Sequence, residues 1–207
     1  MLLASDVVAL HDQKTYDWHR SGGETPHPNN ADGWLTAVER QHQANFALWH
    51  IEDEARAPGA TDKEIAGVKR RIDVTNQRRN DLAEELDRIL LEWLQERELP
   101  RPTAELNSES PGLMIDRLSI LALKIFHTRE ETERRDAPEG HATRNRERLA
   151  ILEEQRADLA QCLDALWRET LAGTRRFRIY RQLKMYNDPT LNPAIYGGSA
   201  GQKGHES

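Results

Sequence analysis

The chain has 207 residues, a formal net charge of -6 and one cysteine. This length suits a single domain with a sizeable core, and the acidic balance excludes a global basic field that would collect nucleic acid. One cysteine excludes an intrachain disulfide, and no window approaches the roughly 18 apolar residues that a membrane span needs, so we expect a cytoplasmic protein without a membrane span.

Helix caps and turn formers divide the chain into five predicted helices. Thr61 and Glu64 have the spacing of a capping box, which starts a helix. Ser110 before Pro111 is a typical cap and first turn, and Gly173 is a typical C-terminal stop. The predicted helices span residues 3–20, 33–56, 62–98, 111–135 and 143–171.

These elements predict an all-α fold, an antiparallel bundle of about four long helices. A short N-terminal helix precedes the bundle, and a basic C-terminal helical arm follows it. The helix at 111–135 is apolar nearly all round, so we expect it to be the most buried. The predicted divisions are one domain at 1–196, made of an N-terminal helix and loop at 1–32, the bundle at 33–173 and the arm at 174–196, and a disordered tail at 197–207.

The most informative pattern is a polar stripe in the predicted second helix. Its positions are three and four residues apart and therefore lie along one helix face. They read Leu35, Val38, His42, Asn45, Trp49, Glu52 and Arg56. Burying charged or amide groups is costly unless they are paired, so such groups in a protected place are candidates for a site. The alternative is a structural polar layer in which Glu52 and Arg56 form an ordinary ion pair.

Two further polar sets accompany this stripe. The long third helix carries Lys69, Asp73, Asn76, Asn80, Glu84 and Asp87 on one face. Asn is a poor interior helix residue unless its amide is used, which favours a functional face over a merely solvated one. The apolar helix contains Asp116, Arg117, Lys124 and His127, some of which must be paired inside. Asp116 could meet a cation on an adjacent helix, and Lys124 a carboxylate of the first two stripes.

A basic cluster follows the fifth helix. Its members are Arg175, Arg176, Arg178, Arg181 and Lys184, with Tyr180 and Tyr186 interleaved. Such a cluster can bind phosphate, carboxylate or a nucleic-acid backbone. It can equally dock on the acidic helices of the same chain. We favour intramolecular docking or an anionic small ligand over nucleic acid.

Metal binding has only partial support in the sequence. Glu39 and His42 have the spacing found in di-iron carboxylate bundles, but no second copy of that motif is present. A mononuclear site of His42, Asp53, Asp73 and His127 is an open alternative. We therefore assign no metal ligand, and the sequence identifies no cofactor.

Four segments in order resemble a bacterial family known as domain of unknown function 4254. They are Gln41–Arg56, Lys69–Asp81, Pro111–Lys124 and Tyr180–Pro193, and the resemblance covers most of the chain from about residue 30 to 196. The resemblance implies no activity and carries no catalytic residues. Members of the family often sit among genes for glycosyltransferases and cell-surface polysaccharide, which implies a role in handling sugar or sugar-nucleotide intermediates.

The first functional hypothesis is a helical protein that binds a phosphorylated or nucleotide-activated sugar in cell-surface polysaccharide synthesis; whether it is an enzyme stays open. Its candidate catalytic residues are His42, Asp73, Asp116 and His127. Its candidate ligand-binding residues are Asn45, Trp49, Asn76, Asn80, Lys124, Arg181, Lys184, Tyr186 and Asn187. His42 is the candidate general acid or base because an unperturbed imidazole has a pKa near neutrality.

Two other hypotheses belong to different classes. One is a helical adaptor or scaffold that docks a glycosyltransferase, with the polar stripes as registry devices. The other is a metal-dependent nucleotide hydrolase with Glu52, Asp53, Asp73 and Asp87 as Mg²⁺ ligands. Stripes that meet in one concave pocket favour a ligand, whereas dispersed stripes favour the scaffold. A homo-oligomer is compatible with each hypothesis.

Overall fold

A computed structural model describes residues 2–22, 33–181 and 190–193. Over these residues it contains five α-helices and one two-stranded parallel ladder, which confirms the predicted all-α class. The helices are α1 (Ala4–Arg20), α2 (Trp34–Glu54), α3 (Asp62–Gln95), α4 (Pro111–Glu133) and α5 (His141–Leu171), and the strands are β1 (Glu105–Leu106) and β2 (Arg175–Arg176).

Local capping sets the starts of two long helices as the sequence predicts. Thr61 caps α3 in a capping box, and its main-chain N–H donates to the Glu64 carboxylate at 2.8 Å. Ser110 caps α4, with Pro111 in the first turn. These contacts satisfy main-chain donors that a helix leaves unpaired at its start.

The central helix is α4, which packs against the other four helices. Its apolar residues enter two clusters. Ile115 and Leu118 join the main core with side chains from α1, α2, α3 and α5, while Leu123 packs with Trp18 and Phe46 in a second cluster. The other four helices all contact α4, which confirms the prediction that this helix is the central one.

α3 and α4 approach closely at Gly112. Asp87 of α3 accepts a hydrogen bond from the Gly112 main-chain nitrogen at 2.6 Å. Burial raises the pKa of Asp87 to about 7, against hydrogen bonds from Ser110 and Gly112. A Cβ at position 112 would lie 2.2 Å from the Ala83 carbonyl oxygen, so only glycine allows this contact.

The segment after α5 differs from the basic helical arm predicted to begin at residue 174. Gly173 has φ +74°, a left-handed conformation that stops a helix, as its position predicts. β2 then pairs in parallel with β1, and Arg175 lies 3.1 Å from the Glu105 carboxylate. The prediction of a helix is wrong for residues 174–181: residues 175–176 pair with β1 instead, and Arg175 forms ion pairs with Glu105 and Glu169.

Several predictions fall outside the described residues. They are the disordered tail at 197–207 and three candidate ligand-binding residues, Lys184, Tyr186 and Asn187. Arg181, the last residue described before them, is exposed. None of the helices in the described part of the chain combines the length and apolar character needed to cross a bilayer.

Replacing Gly112 by alanine should destabilise the protein, because the new Cβ meets a main-chain oxygen that cannot rotate away. We expect the free energy of unfolding to fall by about 1–3 kcal/mol, as in other overpacked cores. Urea unfolding followed by circular dichroism measures this change. The matched control is Gly67→Ala in α3, where nothing lies within 4 Å of the new Cβ and stability should rise by about 0.5–1 kcal/mol. Equal effects of the two substitutions would contradict the close approach.

Candidate functional site

A buried hydrogen-bond network joins α2 to α4. Asn45 Nδ2 donates to Asp116 Oδ1 at 3.0 Å and to Ser119 Oγ at 2.9 Å. Gln41 Nε2 donates to the same Asp116 oxygen at 2.6 Å, and Ser119 Oγ lies 2.7 Å from His42 Nδ1. All five side chains are buried. Three predicted site residues, His42, Asn45 and Asp116, therefore belong to one cluster.

Both ring nitrogens of His42 lie within hydrogen-bond distance of a hydroxyl group. Nδ1 lies 2.7 Å from Ser119 Oγ, which also accepts from the Asn45 amide. Nε2 lies 2.9 Å from Thr15 Oγ1 of α1. Burial lowers the pKa of His42 to about 3, with the His11 main chain opposing that shift. The near-neutral pKa that made His42 a candidate acid or base is therefore absent in the fold.

His11 extends this buried layer without a polar partner. Its ring is fully buried and lies 4.5 Å from the His42 ring, centroid to centroid. Neither ring nitrogen has a hydrogen-bond partner among the residues that the structure describes. Burial lowers the pKa of His11 well below its ordinary value, and His42 and Arg156 lower it further.

A cleft with a volume of about 340 Å³ opens beside the network, between α2, α3 and α4. Its lining residues are Asn45, Leu48, Trp49, Glu52, Asp53, Arg56, Arg79, Ile120 and Leu123. Asn45 belongs to both the network and the cleft. The second half of the predicted α2 stripe therefore forms one wall of a concave site.

Arg79 of α3 is the deepest cation of the cleft, with 24% of its side chain exposed. Its Nε lies 3.5 Å from Asp116 Oδ1 and has no hydrogen-bond partner among the described residues. The same Asp116 oxygen already accepts from Gln41 and Asn45. Burial raises the pKa of Asp116, and Arg79 and the two amides oppose that rise. The Arg79 guanidinium is thus held near an acid whose hydrogen bonds come from other residues.

The remaining charges of the cleft lie at its rim. Glu52 and Arg56 form the expected ion pair at 3.0 Å, with 40% and 69% of their side chains exposed. Asp53 is 62% exposed, and its carboxylate lies 4.0 Å from His50 Nδ1. The charged side chains of the rim are therefore exposed to solvent, whereas Arg79 at the floor is mostly shielded from it.

A histidine cluster supports the aromatic wall of the cleft. His127 stacks on Trp49 at a centroid distance of 4.8 Å and an interplanar angle of 7°. The rings of His19 and His50 lie 4.9 Å and 6.2 Å from that of His127. The Nε2 atoms of all three are buried and have no hydrogen-bond partner in the described part of the chain. Burial is the main cause that lowers the pKa of His50 and of His127. His127 thus braces Trp49.

Asp73 and Lys124 lie away from the cleft. Asp73 forms an ion pair with Lys69, four residues earlier on the same helix face. Lys124 is exposed and lines a different cavity, between α4 and α5. It makes no ion pair with a described residue, so the prediction that it meets a carboxylate of the first two stripes is wrong. Arg117, seven residues earlier, is also exposed, which shows that α4 keeps one solvent-facing line.

The two predicted asparagines of α3 flank Arg79 in the sequence but do not line the cleft. Asn80 is buried and Asn76 is half-buried. No group of three or more His, Cys, Asp or Glu side chains in residues 2–22, 33–181 and 190–193 is arranged to hold a metal ion.

Sequence reasoning missed Arg79, Gln41, Ser119 and Thr15. Helical spacing, three or four residues from a predicted site residue, could have found three of them. Gln41 lies four residues before Asn45, and Arg79 three residues after Asn76, so each shares a face with a predicted residue. Ser119 lies three residues after Asp116 by the same rule. Thr15 lies on α1, and no signal in the sequence links it to His42.

A family model described as "Protein of unknown function (DUF4254)" matches residues 35–179. The chain belongs to the DUF4254 family. The matched range holds every residue that lines the cleft, whereas Thr15 and His11 precede it. No curated protein and no solved structure matches the chain. DUF4254 membership names no reaction, so the function must be argued from the cleft.

Replacing His11 by phenylalanine should make stability less sensitive to acid. Burial lowers the pKa of His11 in the folded state. Below pH 6.5, His11 therefore binds a proton in the unfolded chain but not in the folded one, and the stability of the wild type falls as the pH falls. Removing this group should raise the variant's stability relative to wild type by about 2 kcal/mol between pH 7.5 and pH 5. Urea unfolding at both pH values measures the change. Carboxyl groups titrate in both proteins, so their contributions cancel, and a difference that does not vary with pH would refute the assignment.

Proposed function

We propose that this protein binds a phosphorylated sugar in the cleft between α2, α3 and α4, in the service of cell-surface polysaccharide synthesis. The observation that carries the proposal is the partly buried Arg79 guanidinium that lines the cleft: its Nε lies 3.5 Å from Asp116 Oδ1 and has no hydrogen-bond partner among the described residues. A guanidinium in such a place is suited to bidentate binding of a phosphoryl group.

The rest of the cleft suits the sugar ring. A sugar has apolar C–H surface and a fringe of hydroxyl groups. Trp49 offers an aromatic surface, held in place by the stacked His127 ring. The Glu52 and Asp53 carboxylates are acceptors for hydroxyl protons at the rim. One floor cation, one aromatic wall and rim acceptors together match a ring that carries a phosphoryl group.

Asp116 acts in this proposal as a positioning residue. It contacts Asn45 at 3.0 Å and Arg79 at 3.5 Å, and both of these residues line the cleft. Through them it orients two groups that would contact a ligand. His42 supports the same arrangement from behind, through Ser119.

The cleft favours ligand binding over the two other hypotheses. Of the two predicted stripes, that of α2 lines the concave surface, which supports a ligand there, whereas the α3 stripe lies outside it and does not contribute to the site. The four carboxylates considered as Mg²⁺ ligands are separated: Glu52 and Asp53 line the cleft, Asp73 pairs with Lys69, and Asp87 accepts from Gly112. We therefore do not propose a metal-dependent hydrolase.

Arg79→Gln should weaken binding of a sugar phosphate at least tenfold, because it removes a charge-assisted contact worth about 1.5–3 kcal/mol. Isothermal titration calorimetry measures this with glucose 1-phosphate, mannose 1-phosphate and N-acetylglucosamine 1-phosphate, together with their nucleotide sugars. Arg78→Gln is the matched control, since Arg78 is exposed on the same helix and does not line the cleft. Its affinity should stay within about twofold of wild type.

Circular dichroism and urea unfolding of both variants show whether the fold is kept. The proposal fails if no compound of the panel binds the wild-type protein. It fails equally if Arg78→Gln loses as much affinity as Arg79→Gln.

A further inference from the structure

The four charged residues of the cleft are not equally available to a ligand. Glu52 and Arg56 form an exposed ion pair at the rim, 3.0 Å apart, so the formal charges of Glu52, Asp53 and Arg56 leave the rim net negative. The Asp53 carboxylate is largely exposed and lies 4.0 Å from His50 Nδ1, and burial lowers the pKa of His50. Arg79 is the protected cation. A ligand thus meets the Arg79 guanidinium, whose Nε lies 3.5 Å from Asp116 Oδ1, at the floor and a net negative charge at the rim.

The distribution of charges between floor and rim determines how many phosphoryl groups the cleft can accept. A single phosphoryl group at Arg79 gains a charge-assisted contact and leaves the neutral sugar for the rim. A second phosphoryl group, joined to the first, would share the cleft with the Glu52 and Asp53 carboxylates, which also line it. Like charges in one cleft repel, and the other lining cation, Arg56, is already paired with Glu52.

We propose that the cleft selects sugar monophosphates over nucleoside diphosphate sugars. This inference rests on the proposed function and narrows its ligand class. Glu52 and Asp53 determine the selectivity: they accept hydroxyl protons from a neutral sugar and oppose a second phosphoryl group.

The test compares each monophosphate with its own nucleotide sugar by calorimetry on the full chain. The pairs are glucose 1-phosphate with UDP-glucose, mannose 1-phosphate with GDP-mannose, and N-acetylglucosamine 1-phosphate with its UDP form. We expect the best monophosphate to bind at least tenfold more tightly than its partner at low salt. In the double variant Glu52→Gln/Asp53→Asn, this ratio should fall to threefold or less.

The matched control is Asp81→Asn/Glu92→Gln, which removes the same charge from exposed positions of α3 outside the cleft. It should keep the wild-type ratio. A nucleotide sugar that binds wild type as tightly as its monophosphate overturns the selectivity and leaves the sugar-phosphate cleft standing. An unchanged ratio in the double variant overturns the role of Glu52 and Asp53. Failure of every monophosphate and nucleotide sugar to bind overturns the proposed function itself.

Discussion

The buried polar face of α4 is the constraint on which the site depends. Asp116 and Ser119 lie on the central helix among apolar neighbours, and buried polar groups are costly unless they are bonded. α2 supplies the partners through Gln41, His42 and Asn45. Because these bonds need specific atoms opposite one another, they set both the rotation and the axial register of α2 against α4.

That register also builds the cleft. Trp49 and Glu52 follow Asn45 by one and two helical turns on the same face, so fixing Asn45 on α4 places both of them along one wall. The wall then needs a side-chain layer behind it, which the stacked His127 ring provides. The contact between α2 and α4 thus pairs the buried polar groups of the core and also shapes the cleft at the surface.

The position of Arg79 at the cleft floor depends on the close approach of α3 to α4. Asp87 and Ala83 contact Gly112, and Arg79 lies one turn before Ala83 on the same face of α3. Asp116 lies one turn after Gly112 on α4. The two helices run antiparallel here, so the contact at Gly112 brings Arg79 beside Asp116 and into the cleft. A bulkier residue at position 112 would shift the one cation on which ligand binding is proposed to rest.

The local features of this protein could be predicted from the order of its residues. Thr61, Ser110 and Gly173 predicted helix ends correctly, because capping and left-handed φ depend on neighbouring residues alone. Helical spacing also identified the α2 stripe. Only the tertiary structure decided which polar groups meet, since that depends on the rotation of each helix. It brought Arg79 to the cleft and left Lys124 exposed, although both are cations within helical patterns.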